Sequence, residues 1–119
     1  MAFSPWTDLT LSGESLSTLA ARDALLPANR VAELRELYLA GADPTDPRAS
    51  PILGRFAGAP PTLIQASADE ILRDDARGMA ARLERDGAAT TLELWPGAPH
   101  GWQGLGRRLP EAEAALDRA

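Results

Sequence analysis

Three consecutive stretches decide the fold: Thr62-Leu63-Ile64-Gln65-Ala66, the run from Asp74 to Asp86, and Thr90-Thr91-Leu92-Glu93-Leu94-Trp95. The first is a short apolar run between Pro60-Pro61 and a polar cluster, the pattern of a strand buried on both faces. In the second, Ala76, Met79, Ala80 and Leu83 recur at offsets of one helical face, and Gly87 stops the helix. The third alternates and is rich in β-formers. Strand, helix and strand in this order predict a βαβ unit with parallel strands. The fold class is therefore α/β, a short parallel sheet with flanking helices.

Working outward, Leu105, Leu109, Ala112 and Leu116 predict a last helix, with Pro110, Glu111 and Glu113 suited to its early turns. Upstream, Val31, Leu34, Leu37 and Tyr38 fall on one helical face, with Asn29 as cap and Gly41 as stop. From Asp43-Pro44 to Pro61 the chain carries five of its ten prolines and reads as loop. Residues 9–28 read as an irregular connection with one helical turn around Leu19–Ala24. Met1 to Pro5 reads as the end of a strand that begins elsewhere.

Composition narrows the function classes. The 119 residues are enough for one domain with a single core. The net charge is −5 and every basic residue is arginine, with no clustered run of the kind that nucleic acid or an anionic membrane requires. With no cysteine, a disulfide framework, a thiolate zinc site and a cysteine nucleophile are all excluded. Neither a signal peptide nor an apolar run of about 20 residues is visible, so the expectation is a soluble cytoplasmic protein.

The chemistry follows from the sheet. In parallel α/β sheets ligands lie beyond the C-terminal ends of the strands. Ser67-Ala68-Asp69-Glu70 follows the first strand, and Pro96-Gly97-Ala98-Pro99-His100-Gly101-Trp102 follows the next. The two loops open on one edge, which brings an acid beside the chain's one histidine. A neutral histidine takes a proton from a hydroxyl nucleophile, and a carboxylate on its other nitrogen fixes the tautomer. The bland readings are a structural histidine and a solvated strand-end carboxylate. Trp102 is read either as a border of the substrate pocket or as a packing residue.

Several stretches, in order, resemble the hormone-sensitive-lipase-like bacterial esterases of the α/β-hydrolase family. They are Ser4-Pro5-Trp6-Thr7-Asp8-Leu9-Thr10, Tyr38-Leu39-Ala40-Gly41-Ala42-Asp43, Asp46-Pro47-Arg48-Ala49-Ser50-Pro51, Asp69-Glu70-Ile71-Leu72-Arg73-Asp74-Asp75 and Pro99-His100-Gly101-Trp102. The resemblance implies hydrolysis of carboxylic esters of short or medium acyl chains, with His100 as base and then acid and no metal or organic cofactor. The family pattern is an acid, three residues, then Asp followed by Asp or Glu. Counting back from Asp74 gives Glu70 as the triad acid, while Asp69, one position earlier, is the alternative. Asp74 is expected to cap the helix start. Trp6 and Asp8 match a structural motif of the family and carry no catalytic role.

The family's Gly-rich oxyanion loop, Gly-x-Ser-x-Gly elbow and N-terminal cap do not occur in these residues. Gly13-Glu14-Ser15-Leu16-Ser17 lacks the second glycine and the strand–turn–helix setting of an elbow. The expectation is one partial domain over residues 1–119, the C-terminal half of an esterase, inactive alone. The alternatives are a non-catalytic binding or assembly module built from a hydrolase, and an unrelated small α/β domain. A homo-oligomer is expected, through the open sheet edge or residues 1–10.

Overall fold

The structure is a computed structural model that describes residues 1–119. Three parallel strands, β1 (Ala2–Phe3), β2 (Thr62–Ser67) and β3 (Thr90–Trp95), form a sheet in the order β1-β2-β3. Ala2 stands opposite Ile64, and the β2–β3 register runs from Thr62–Thr90 to Ser67–Trp95. Strand residues alternate between the two faces. One face of β2 sends Ile64 and Ala66 against Ala76, Met79, Ala80 and Leu83 of α3 (Arg73–Arg85), which makes the main core. On the other face, Gln65 is buried and donates to the Ala115 carbonyl of α4 (Pro110–Leu116) at 2.9 Å. The sheet is thus covered on both sides, as the apolar run at 62–66 demands. No helix is long and apolar enough to cross a membrane.

The βαβ unit matches the sequence reading to within one residue at each boundary. Other elements differ. The early helical turn, α1, lies at Ser15–Thr18, not at 19–24, which form turns. Helix α2 (Val31–Leu39) follows a 3₁₀ turn at Ala28–Arg30 that absorbs Asn29, so Arg30 occupies the cap position and no side chain caps the helix. Only Val31 and Leu39 of α2 are buried, while Leu37 and Tyr38 are 71% and 70% exposed. The helix ends through Ala40 and Gly41, both at positive φ, as a left-handed C-terminal stop requires.

The last helix is shorter than the Leu105–Leu116 spacing suggests. Residues Trp102–Arg108 are 3₁₀, broken at Gly106, where φ is 51° and ψ is −135°. Leu109 is extended, and α4 starts at Pro110, whose fixed φ and missing N–H suit a first helical position. Ala112 and Ala115 are its buried residues, and Leu105 and Leu116 face outward. Asp74 does not cap its own helix. Its carboxylate accepts the Ser15 N–H at 2.8 Å and serves the start of α1 instead.

Candidate active site

The loops after β2 and β3 open on one sheet edge because their strands are parallel neighbours in register. Glu70 and His100 meet there. His100 Nδ1 lies 3.0 Å from Glu70 Oε2. The Glu70 side chain is 1% exposed and that of His100 25%. Oε1 of Glu70 is shielded from solvent and has no protein partner, so the histidine is the one side chain that stabilises this carboxyl group. Breaking such a buried pair leaves the acid uncompensated.

Asp69 points away from the ring. Its Oδ2 accepts the Gly97 N–H at 2.9 Å, and its Oδ1 pairs with Arg22 at 2.6 Å. Neighbouring residues at a strand end diverge, so only one of the two acids reaches the histidine. Trp102 is a core residue of this structure. It is fully buried with Ala98, Ala112 and Ala115, and its ring lies 5.8 Å from that of Trp95. Its indole N–H donates to the Glu111 carbonyl at 3.3 Å, which ties the histidine loop to α4. Ser15 is buried and engaged, donating to the Ile71 carbonyl at 2.6 Å.

Two cavities meet at His100. The larger, about 460 Å³, has the charged side chains of Arg22, Asp23, Asp69 and Glu70 in its wall. The smaller, about 190 Å³, is mostly apolar, with Trp6, Leu26, Val31 and Leu34 in its wall. The ring therefore stands between a charged basin and a greasy one, where a molecule with an apolar arm and a polar centre would fit.

Four residues around the pair carry roles that the sequence reading did not assign. Ser67 Oγ donates to the Ala98 carbonyl, and Ser4 Oγ accepts the Gly101 N–H at 3.2 Å. Ser4 adopts φ 43°, an uncommon conformation for a serine, while its N–H still donates to the Gln65 carbonyl at 2.7 Å. Arg22 pairs with Asp69, and Asp23 Oδ2 accepts the Ile71 N–H at 2.8 Å. Asp23 Oδ1 also accepts the N–H groups of Leu25 and Leu26, both at 2.9 Å, a local turn signal that could have drawn attention to it. The contacts with the distant loops leave no mark in local spacing.

A family profile described as "alpha/beta hydrolase fold" matches residues 1–104. An acetyl-hydrolase of Streptomyces hygroscopicus is 40% identical over 119 residues, all of this chain and 40% of its own length. An esterase of Acinetobacter venetianus is 35% identical over 114 residues, covering 95% of this chain and 38% of its own. The crystal structure of an esterase from the bacterial hormone-sensitive lipase family superposes with a TM-score of 0.93 at 39% identity, over 98% of this chain and 40% of that one. The chain thus spans about 40% of the length of the proteins it matches. The chain belongs to the α/β-hydrolase family, and its fold is shared with an esterase of the bacterial hormone-sensitive lipase family.

Proposed function

We propose that residues 1–119 form one partial α/β-hydrolase domain that supplies the acid and the histidine of a serine carboxylesterase triad. The observation that carries this is the 3.0 Å contact between His100 Nδ1 and the buried Glu70 carboxyl. With Nδ1–H donating to the carboxylate, the Nε2 lone pair is free to act as a base. A serine hydroxyl, from a part of the enzyme outside these residues, attacks the ester carbonyl as its proton passes to Nε2. Collapse of the tetrahedral intermediate breaks the acyl–oxygen bond, and the leaving alkoxide takes that proton from Nε2. Water then repeats both steps on the acyl-enzyme and returns the free acid and the serine. Glu70 keeps its negative charge throughout and steadies the imidazolium. The substrate class is carboxylic esters of short or medium acyl chains, in line with the names of the relatives.

The chain contains no Gly-x-Ser-x-Gly elbow and no His-Gly-Gly oxyanion loop. Without a nucleophile no acyl-enzyme forms, and without oxyanion donors the largest electrostatic contribution is absent. The purified chain is expected to hydrolyse a short-chain aryl ester no faster than its His100→Ala variant, and a serine-reactive phosphonate should leave its mass unchanged. Labelling of any serine would overturn this. A protein that joins this chain to an upstream Gly-x-Ser-x-Gly segment should be labelled at one serine. Glu70→Gln should lower its kcat by roughly 10³–10⁴-fold. Failure to label even that protein would favour the alternative, a non-catalytic binding or assembly module.

A narrower observation supports self-association. β1 is bonded along one edge only, to β2, and Met1 and Phe3 beside the open edge are 66% and 37% exposed. Such an edge invites strand addition. A homo-oligomer joined through residues 1–10 or this edge should bury more than about 1,000 Å². Light scattering that finds a stable 12.6 kDa monomer at micromolar concentration would exclude it.

A further inference from the structure

We propose that Asp69 is a positioning residue for His100. It holds the histidine loop closed at Gly97, and Arg22 holds Asp69. The proposal rests on the reading of His100 and Glu70 as triad members.

The loop 96–101 has few ties of its own. Gly97 and Gly101 both adopt positive φ, 72° and 63°, so Ala98-Pro99-His100 is flanked by two residues in left-handed conformation. His100 makes one side-chain hydrogen bond, to Glu70. Three side chains from outside hold the loop's backbone: Asp69 at the Gly97 N–H, Ser67 at the Ala98 carbonyl, and Ser4 at the Gly101 N–H. Ser67 also accepts the Asp69 N–H at 3.0 Å, which fixes Asp69 before it reaches across. Of the three holders only Asp69 is charged, and a charge-assisted hydrogen bond is about twice as strong as a neutral one.

Arg22 completes the device. Asp69 and Glu70 are adjacent acids, and both face the larger cavity beside Asp23. Unpaired, Asp69 would add a second negative charge beside Glu70. The Arg22 guanidinium at 2.6 Å occupies Oδ1 and offsets the charge, which leaves Oδ2 for Gly97. The two carboxylates next to the histidine thereby take separate tasks. Glu70 orients the ring, and Asp69 fixes the backbone that carries it.

The single histidine makes the test clean, because long-range ¹H–¹⁵N spectra of this chain contain one imidazole. The wild type should show one tautomer at neutral pH, with the proton on Nδ1. Asp69→Ala should keep the circular dichroism of the fold but give a mixture that includes the Nε2–H tautomer. Its Gly97 amide should exchange roughly tenfold faster, the effect of losing one charge-assisted bond. Asp69→Asn should restore the wild-type ring, since its amide oxygen still accepts from Gly97. Should Asp69→Ala unfold, Arg22→Met serves instead, with a partial second tautomer and faster Gly97 exchange expected. Glu70→Gln should abolish the Nδ1–H signature. If Glu70→Gln shifts the ring while Asp69→Ala and Arg22→Met leave it as in the wild type, the positioning role is overturned and the histidine–acid pair stands. If Glu70→Gln itself changes nothing, the pair does not form in solution, and the proposal falls with the triad reading.

Discussion

Helix α3 is held at its two ends by different forces. Along its apolar face, Ala76, Met79, Ala80 and Leu83 bury against Ile64 and Ala66 of the sheet. At its first turn, Asp74 and Asp75 reach back to the N-terminal segment. Asp75 Oδ1 accepts the N–H groups of Thr7 and Asp8, each at 2.8 Å, and Thr7 Oγ1 donates to the Asp75 carbonyl at 3.1 Å. Apolar burial is non-directional and changes little with pH. A buried carboxylate that gathers backbone N–H groups is directional and titrates. The segment that brings Ser4 and Arg22 to the histidine is therefore fastened by chemistry that acidity can alter, whereas the βαβ unit is not.

The largest expected effect tests the apolar end. Leu83→Ala removes a buried side chain from the middle of the core and should cost about 2–5 kcal/mol in urea unfolding, equally in mild acid and at neutral pH. A loss that varied with pH would blur the contrast. Asp75→Ala is the counterpart at the acidic end. It strands two buried N–H groups and should cost about 2–4 kcal/mol. Asp75→Asn sharpens the comparison. Burial pushes the Asp75 carboxyl up to about 6 from 3.8, and Asp8 and Asp74 add to this against the hydrogen bonds from Thr7 and Asp8. A raised folded-state value means the native state binds the proton more tightly than the unfolded chain. The associated stability is present in full below about 3.8 and is lost as pH rises through about 6. That window corresponds to about 2–3 kcal/mol. The wild-type urea midpoint should carry this fall, and Asp75→Asn, which keeps an acceptor oxygen but cannot ionise, should remove it. Parallel pH profiles for the two proteins would show that Asp75 does not titrate there.

The same contrast explains what was legible in the sequence. β2, α3 and β3 announce themselves because burial on a face leaves a period of 2 or 3.6. Glu70 over Asp69 follows from the family resemblance, whose pattern places the acid four residues before Asp74, and not from any period. Residues 9–30 were opaque. They are shaped by single contacts to distant partners: Ser15 to Ile71, Asp23 to Ile71, Leu9 to Ser50. Point contacts of this kind have no period. Where a period misled, the reason is also physical. In α2 the spacing of Leu34, Leu37 and Tyr38 marks a face that no element of this chain covers, and at the C-terminus Gly106 breaks the run that Leu105 and Leu109 suggest.

The smallest expected effect lies where the two kinds of force meet, on the sheet face opposite α3. Glu93 accepts from Gln65 Nε2 at 3.0 Å, from the Trp95 indole at 3.3 Å and from Arg118 Nε at 2.6 Å. Burial works to raise the Glu93 carboxyl, but the hydrogen bonds from Arg118, Gln65 and Trp95 outweigh it and hold the group below its usual value. A depressed folded-state value contributes stability that is present above the unfolded value and lost as pH falls through the folded one. This is the opposite sign to Asp75, and the window lies lower. Arg118 is mostly exposed, so solvent screens the pair and Arg118→Ala should cost only about 0.5–1 kcal/mol near neutral pH. Below the point where Glu93 takes up its proton, variant and wild type should converge, because a neutral acid no longer draws on the guanidinium. A double variant with Glu93→Gln should show no further loss beyond Glu93→Gln alone. A larger or pH-independent cost for Arg118→Ala would mean that its side chain anchors α4 by packing its methylenes rather than by charge, and would move this corner of the molecule to the apolar side of the comparison.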